Sequence, residues 1–191
     1  MPHDPAADEH GNEARMALTI REMNRATDRA AVSGIDTAFE TSLIFDVNIS
    51  SRRIELVERT LATPMMKRYA IADAFASWST WDNAFVADDA GICGFAAVEY
   101  EAWHARLVLW HLYVSPQRRR GGIGRALLAR VEAHGRSCGA RHVWLETSNV
   151  NVPGILAYER LGYALCGLDR TLYDALPYAT ETAIYMTKPL T

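Results

Sequence analysis

The stretch "SPQRRRGGIGRALLARVEAHG", Ser115–Gly135, constrains this chain more than any other. Three arginines and two glycines lead into an amphipathic pattern. Ile123, Leu127, Val131 and Cys138 mark its apolar stripe and Arg125, Glu132 and Arg136 its polar one, which predicts a helix ended by Gly139. The preceding run, "ARLVLWHLYVS", is apolar from Leu107 to Val114, as expected of a central strand covered on both faces. A helix entered through glycines leaves its first amides unpaired at the positive end of its dipole, where an anion can reach the backbone. The turn is therefore a candidate phosphate cradle. A Walker loop needs Gly-Lys-Ser/Thr after four spacers, and no lysine stands here. A dinucleotide fingerprint comes closer, since Gly122-x-Gly124 follows a strand and Glu146 lies downstream. Its third glycine, however, is replaced by Leu127, and a single strand–helix–strand unit follows.

The rest of the chain places this turn in a mixed α/β protein. Residues 1–15 are polar and carry no apolar period, so they are expected to form a disordered tail before one domain over residues 16–191. "ALTIREM" predicts a strand, "ATDRAAVSGIDTAF" a helix starting at Thr27 or Asp28, and "SRRIELVERTL" a half-exposed strand. Helical spacing through Met65, Tyr69, Ala72 and Phe75 predicts a helix over "PMMKRYAIADAFASW", with Pro64 in its first turn. "NAFVADD", "GICGFAAVEYE" and "ARLVLWHLYVS" read as an antiparallel meander, turned first at "DDAG". After the glycine turn and its helix come strand "RHVWLET", helix "NVPGILAYERLG", and strands "YALCGLD" and "TAIYMTKPL".

Composition narrows the classes. A formal charge of −3 argues against nucleic-acid binding driven by overall basicity, and no apolar run approaches the roughly 18 residues that span a bilayer. Cys93, Cys138 and Cys166 make neither a disulfide framework nor a metal-type pair, and no histidine has ligand spacing, so a reducing cytoplasm and no metal are expected.

"VSPQRRRGGIGRALL" resembles the acyl-CoA loop of GNAT superfamily N-acetyltransferases, Gln/Arg-x-x-Gly-x-Gly/Ala, through Arg119, Gly122 and Gly124. The resemblance implies that the amides of the turn, with Arg119, Arg120, Gly121, Gly122, Ile123, Gly124 and Arg125, hold the pyrophosphate of acetyl-CoA. It implies further that the backbone of Leu112, Tyr113 and Val114 lines the pantetheine arm. A second region, "LETSNVNVPGILAYERLGY", resembles the family's segment in which an Asn opens a helix and a Tyr follows seven residues later: Asn151 and Tyr158, before Gly162 and Tyr163. The fold implied is the GNAT one, a mostly antiparallel central sheet with helices on both faces.

Amide formation from a thioester needs a neutral amine and a proton for the departing thiolate. Glu146 ends the "HVWLE" strand where similar ribosomal-protein alanine acetyltransferases place their proton-accepting Glu. Tyr158, a phenol with an ordinary pKa near 10, is the corresponding proton donor. Within the superfamily the chain is most similar to streptothricin (nourseothricin) acetyltransferases, through "EAWHARL", "SNVN", "LCGLDRTLYD" and "ETAIYMTKPL", which implies a small-molecule amine acceptor. Those relatives usually carry Glu-Asp where this chain has Trp110-His111. That leaves Glu99, Trp103, His111 and Asp169 as candidate acceptor contacts, with Glu101, Asp73 and Asp82, and Trp78, Trp81, Trp103 and Trp110 as a candidate aromatic cleft. A protein N-terminal acetyltransferase and a non-catalytic acyl-CoA-binding domain stay open as alternatives, and a homodimer is compatible with the sequence.

Overall fold

Asn24, not Thr27 or Asp28, starts the first helix. Its side-chain oxygen accepts the amide of Ala26 at 3.0 Å, while Asp28 turns inward to accept from Arg21 at 2.6 Å and from the Asn24 amide at 2.8 Å. This computed structural model describes residues 18–191; the expected tail lies outside the described residues. In chain order they form β1 (Thr19–Glu22), α1 (Arg25–Ser33), β2 (Phe39–Ser50), β3 (Arg53–Lys67), β4 (Asn83–Asp88), β5 (Ile92–Glu101) and β6 (Arg106–Val114). Then follow α2 (Ile123–Ser137), β7 (His142–Ser148), α3 (Val152–Arg160), β8 (Ala164–Asp169) and β9 (Ala183–Pro189).

Seven strands form one sheet in the order β1-β4-β5-β6-β7-β9-β8, antiparallel except for β6 against β7; β2 and β3 form a separate hairpin. Period-two alternation sends Phe85, Val98, Leu107, Leu145 and Met186 to one face, under Leu127 and Val131 of α2 and Ile155 of α3. Val86, Phe95 and Ala97 face the other side, under Val32 of α1 and the short 3₁₀ turn Ile71–Phe75. Each large side chain removed from water this fully stabilises the fold by about 1.5–3 kcal/mol. The expected mixed sheet with helices on both faces is what forms.

Two expectations fail for identifiable reasons. The helix predicted from Pro64 does not form, because Met65, Met66 and Lys67 pair with Thr41, Glu40 and Phe39 and finish β3. Pro64, which has no amide hydrogen to give, falls where the register jumps between Thr41 and Leu43. Partnering by β2 overrides the helical spacing, and the 3₁₀ turn is all that remains of it. Glu132, expected on the exposed stripe of α2, is buried and accepts from Lys188 at 2.7 Å. The residue is polar because β9 brings a cation to it.

One irregularity positions the site. Opposite Ala97 and Val98 of β5 stand His111 and Leu109 of β6, so Trp110 is an extra residue, a β-bulge. Pairing of β6 with β7 runs from Arg106↔His142 to Leu109↔Leu145 and stops there, although β6 continues to Val114 and β7 to Ser148. The two central strands part after the bulge and leave a gap with free main-chain edges.

Candidate active site

The glycine turn closes one end of that gap. Gly122 caps α2 at φ 85° with no side-chain cap, and a Cβ placed there would meet nothing within 4 Å, so the space in front of the helix is open. Ala126 is the first residue to bond back into the helix, to the Gly122 carbonyl at 2.9 Å, which leaves the amides of Ile123, Gly124 and Arg125 directed outward. The exposed Arg120, itself at φ 62°, Gly121 and Arg125 surround this opening. Arg119 does something else: its Nε donates to the Val114 carbonyl at 2.9 Å and its Nη1 to the Ala38 carbonyl at 2.7 Å. It bolts the turn to β6 and to the start of the hairpin. Unpaired amides, a cation rim and the β6 edge along Leu112, Tyr113 and Val114, free apart from the Val114 carbonyl that Arg119 occupies, fit a pyrophosphate followed by an extended, amide-bearing arm.

Glu146 lies on the floor of the gap, just past the last β6–β7 pair. Its carboxyl is open to solvent, yet protein crowds around it. That crowding raises its pKa, against the Tyr173 hydroxyl, which donates to Oε1, and the nearby Lys67, which both lower it. Such a group holds a proton more readily than a surface carboxylate does. Tyr158, half-buried on α3 with its ring 5.6 Å from that of Tyr163, has its pKa raised by burial and then by Tyr113 and Glu146. It is a neutral phenol, and Glu146 and Tyr113 act on it together. The structure thus brings the two sequence-predicted proton carriers to one gap.

Several other predicted contacts are occupied elsewhere. Asn151 caps α3, accepting the Gly154 amide at 3.2 Å, and its NH₂ donates to Thr147 at 2.9 Å, so the side chain orders the start of α3 and keeps one amide hydrogen to give. Glu99 accepts from the Trp110 indole at 2.9 Å and from Thr80 at 2.7 Å. Asp169 takes the Thr171 and Leu172 amides and starts the β8–β9 loop. Trp103 is 84% exposed and stacks on His104 in the β5–β6 turn, at the opposite end of β6 from the glycine turn. His111 is buried, with Nδ1 3.3 Å from the Tyr113 hydroxyl and Nε2 unpartnered, and desolvation lowers its pKa to about 4. It is neutral and lies behind Tyr113.

The aromatic wall is made of tyrosines, not the expected tryptophans, of which Trp81 belongs to the core. Tyr69 sits 6.2 Å from Tyr113, and Tyr178 sits 5.2 Å from Tyr173. Lys67 lies over both Tyr178 (4.4 Å) and Tyr69 (5.2 Å) and pairs with Glu181. Tyr69 buries its hydroxyl beside Thr147 and under the influence of Glu146. Asp73, expected as an acceptor contact, acts on Tyr113 and Tyr178 and so stays at this margin. Sequence reasoning missed Lys67, Tyr69, Tyr173, Tyr178 and Glu181. For Tyr173, Tyr178 and Glu181 the signal available was the irregular segment "RTLYDALPYATE", which carries all three between two strands. Among the described residues, no cluster of His, Cys, Asp or Glu could hold a metal ion, and no helix is long and apolar enough to cross a membrane.

Comparison with known proteins agrees with this geometry. The acetyltransferase (GNAT) family matches residues 54–163. The streptothricin acetyltransferase of Streptomyces lavendulae is 38% identical over 173 residues, covering 86% of this chain and 92% of that protein. The crystal structure of nourseothricin acetyltransferase superposes with a TM-score of 0.82 at 34% identity, over 92% of this chain and 99% of that one. The ribosomal protein bS18 alanine N-acetyltransferase of Escherichia coli K12 is 33% identical over 82 residues, 43% of this chain and 55% of that protein.

Proposed function

The chain belongs to the GNAT acetyltransferase family, and from that premise we propose that it moves the acetyl group of acetyl-CoA onto a primary amine of a small molecule of the streptothricin type. The amides of Ile123, Gly124 and Arg125 would hold the pyrophosphate, with Arg120 and Arg125 supplying charge, and the free edge of Leu112–Val114 would align the arm. When bound, acetyl-CoA supplies an activated carbonyl and a thiolate leaving group.

Glu146 meets the largest single cost. An ordinary primary amine has a pKa near 10.4, so removing its proton at pH 7 costs about 4–5 kcal/mol. A carboxylate on the cleft floor whose proton affinity is raised by crowding takes that proton more readily than an exposed one. The freed nitrogen then forms the C–N bond as the C–S bond breaks, and the second proton that this nitrogen sheds restores the phenol that has protonated the sulfur. Tyr158, kept neutral by its raised pKa, protonates the departing sulfur.

The observation that carries this reading is the parting of β6 and β7 after Leu109↔Leu145, with Glu146 next on β7, Tyr158 within its electrostatic reach and the open glycine turn at the end of the gap. The test is acetyl-CoA-dependent thiol release with streptothricin, with a peptide bearing a free N-terminus as the rival acceptor. Thiol release with one acetyl added to the antibiotic is the expected result. Modification of the peptide alone would transfer the assignment to protein N-termini. Tight acetyl-CoA binding with no release on any amine would make this a non-catalytic domain.

A further inference from the structure

The mechanism above leaves one buried charge pair unused. Lys67, the last residue of β3, and Glu181, two residues before β9, meet with each side chain only 9% exposed. Ser148, at the end of β7, donates to the same Glu181 oxygen. Two more groups hold the ammonium in place, the rings of Tyr178 at 4.4 Å and Tyr69 at 5.2 Å. Stability is a poor reason to keep such a pair, because desolvating two charges commonly offsets their attraction, and an apolar pair of similar volume would serve as well. Its position suggests a reason. Lys67 touches Tyr178, Tyr178 packs on Tyr173 at 5.2 Å, and Tyr173 donates to Glu146.

We propose that Lys67 and Glu181 are positioning residues for acetyl transfer, which set the electrostatic field at the Glu146 carboxyl and fasten the loop carrying its hydrogen-bond partner Tyr173. This rests on Glu146 being the proton acceptor. The groups facing Glu146 are the phenols of Tyr69 beyond β3, Tyr113 on β6, Tyr158 on α3, Tyr173 and Tyr178 on the β8–β9 loop and Tyr185 on β9, together with Lys67 and Glu181. The phenols are neutral, and of the two charges Lys67 makes the ionised carboxylate easier to form and Glu181 makes it harder. Their effects oppose each other, so the loss of either charge shifts the proton affinity of Glu146 in a direction known in advance.

The sign of each charge gives the test. Glu181→Gln, nearly isosteric, leaves Lys67 unopposed, so the acid limb of the kcat/KM profile moves down by roughly a third of a pH unit; Lys67→Met moves it up by about as much. The double variant returns the limb close to that of the wild type. A residue pair that merely braces the fold would lower the melting temperature in all three and leave the limbs where they were. Unmoved limbs in both single variants, or shifts of the same sign, overturn the proposal. Glu181→Gln decides alone if Lys67→Met does not fold, and acetyl-CoA binding serves as the fold control. Glu146→Gln run alongside separates the two claims: full activity in that variant removes the base assignment itself, whatever the pair does.

Discussion

The proposed coenzyme end of the cleft is built from one continuous stretch, residues 110–125, and would work through main-chain amides and a free strand edge. The proposed acceptor end draws Lys67, Tyr69, Tyr113, Glu146, Tyr158, Tyr173, Tyr178 and Glu181 from five separate segments, and works through side chains. The physical demands differ. A pyrophosphate needs converging N–H donors, which any backbone supplies once its dihedrals are right. Selecting and deprotonating one amine needs groups of chosen acidity held at chosen places, and the backbone has none. Local geometry therefore suffices at one end, while the other depends on the whole sheet and its loops being in register.

If the two ends are as separable as this, variants at each should damage one substrate and spare the other. Glu146→Gln should have the largest effect, lowering kcat/KM for the amine by about a thousandfold while leaving acetyl-CoA affinity unchanged by calorimetry. Tyr158→Phe should lower kcat by about a hundredfold. The loss should shrink with acyl donors whose thiol is more acidic, because they need the proton less. An equal loss with every donor would remove Tyr158 from the leaving-group step.

Gly122→Ala probes the other end. At φ 85° an L side chain costs about 1–2 kcal/mol, so acetyl-CoA should bind about tenfold more weakly while the amine KM at saturating acetyl-CoA holds. A rise in amine KM instead would show that the two ends communicate. Smallest is Tyr173→Phe, which removes the hydroxyl that lowers the pKa of Glu146. The carboxyl then holds its proton to higher pH, and the acid limb of kcat/KM shifts up by roughly half to one unit. At pH values above the limb the rate should match that of the wild type, as a pH-rate series would show.

Arg119 and Trp110 show how the ends are nevertheless joined. Arg119 looked like a phosphate ligand, yet its two bonds to the Val114 and Ala38 carbonyls fasten the glycine turn to the hairpin that delivers Lys67. Trp110 looked like a lost acidic contact. It is instead the bulge residue that lets β6 and β7 separate, with its indole anchored on Glu99. Both side chains serve the shape of the gap.

Much of this protein was fixed by its order of residues alone. The meander, the glycine turn before α2 and the helix of α3 are all local patterns, since helix period, strand alternation and turn glycines are set by neighbours in the chain; Glu146, expected to end its strand, instead stands inside β7, which runs on to Ser148. What only the tertiary structure decided was which distant groups meet. Strand pairing turned a helical spacing at Met65–Phe75 into β3 and a short turn, and so placed Lys67 beside Glu181. The β8–β9 loop, with no period to read, folded its tyrosines onto Glu146. Burial and long-range pairing have no signature in local spacing, because they depend on what the rest of the chain brings to the same place.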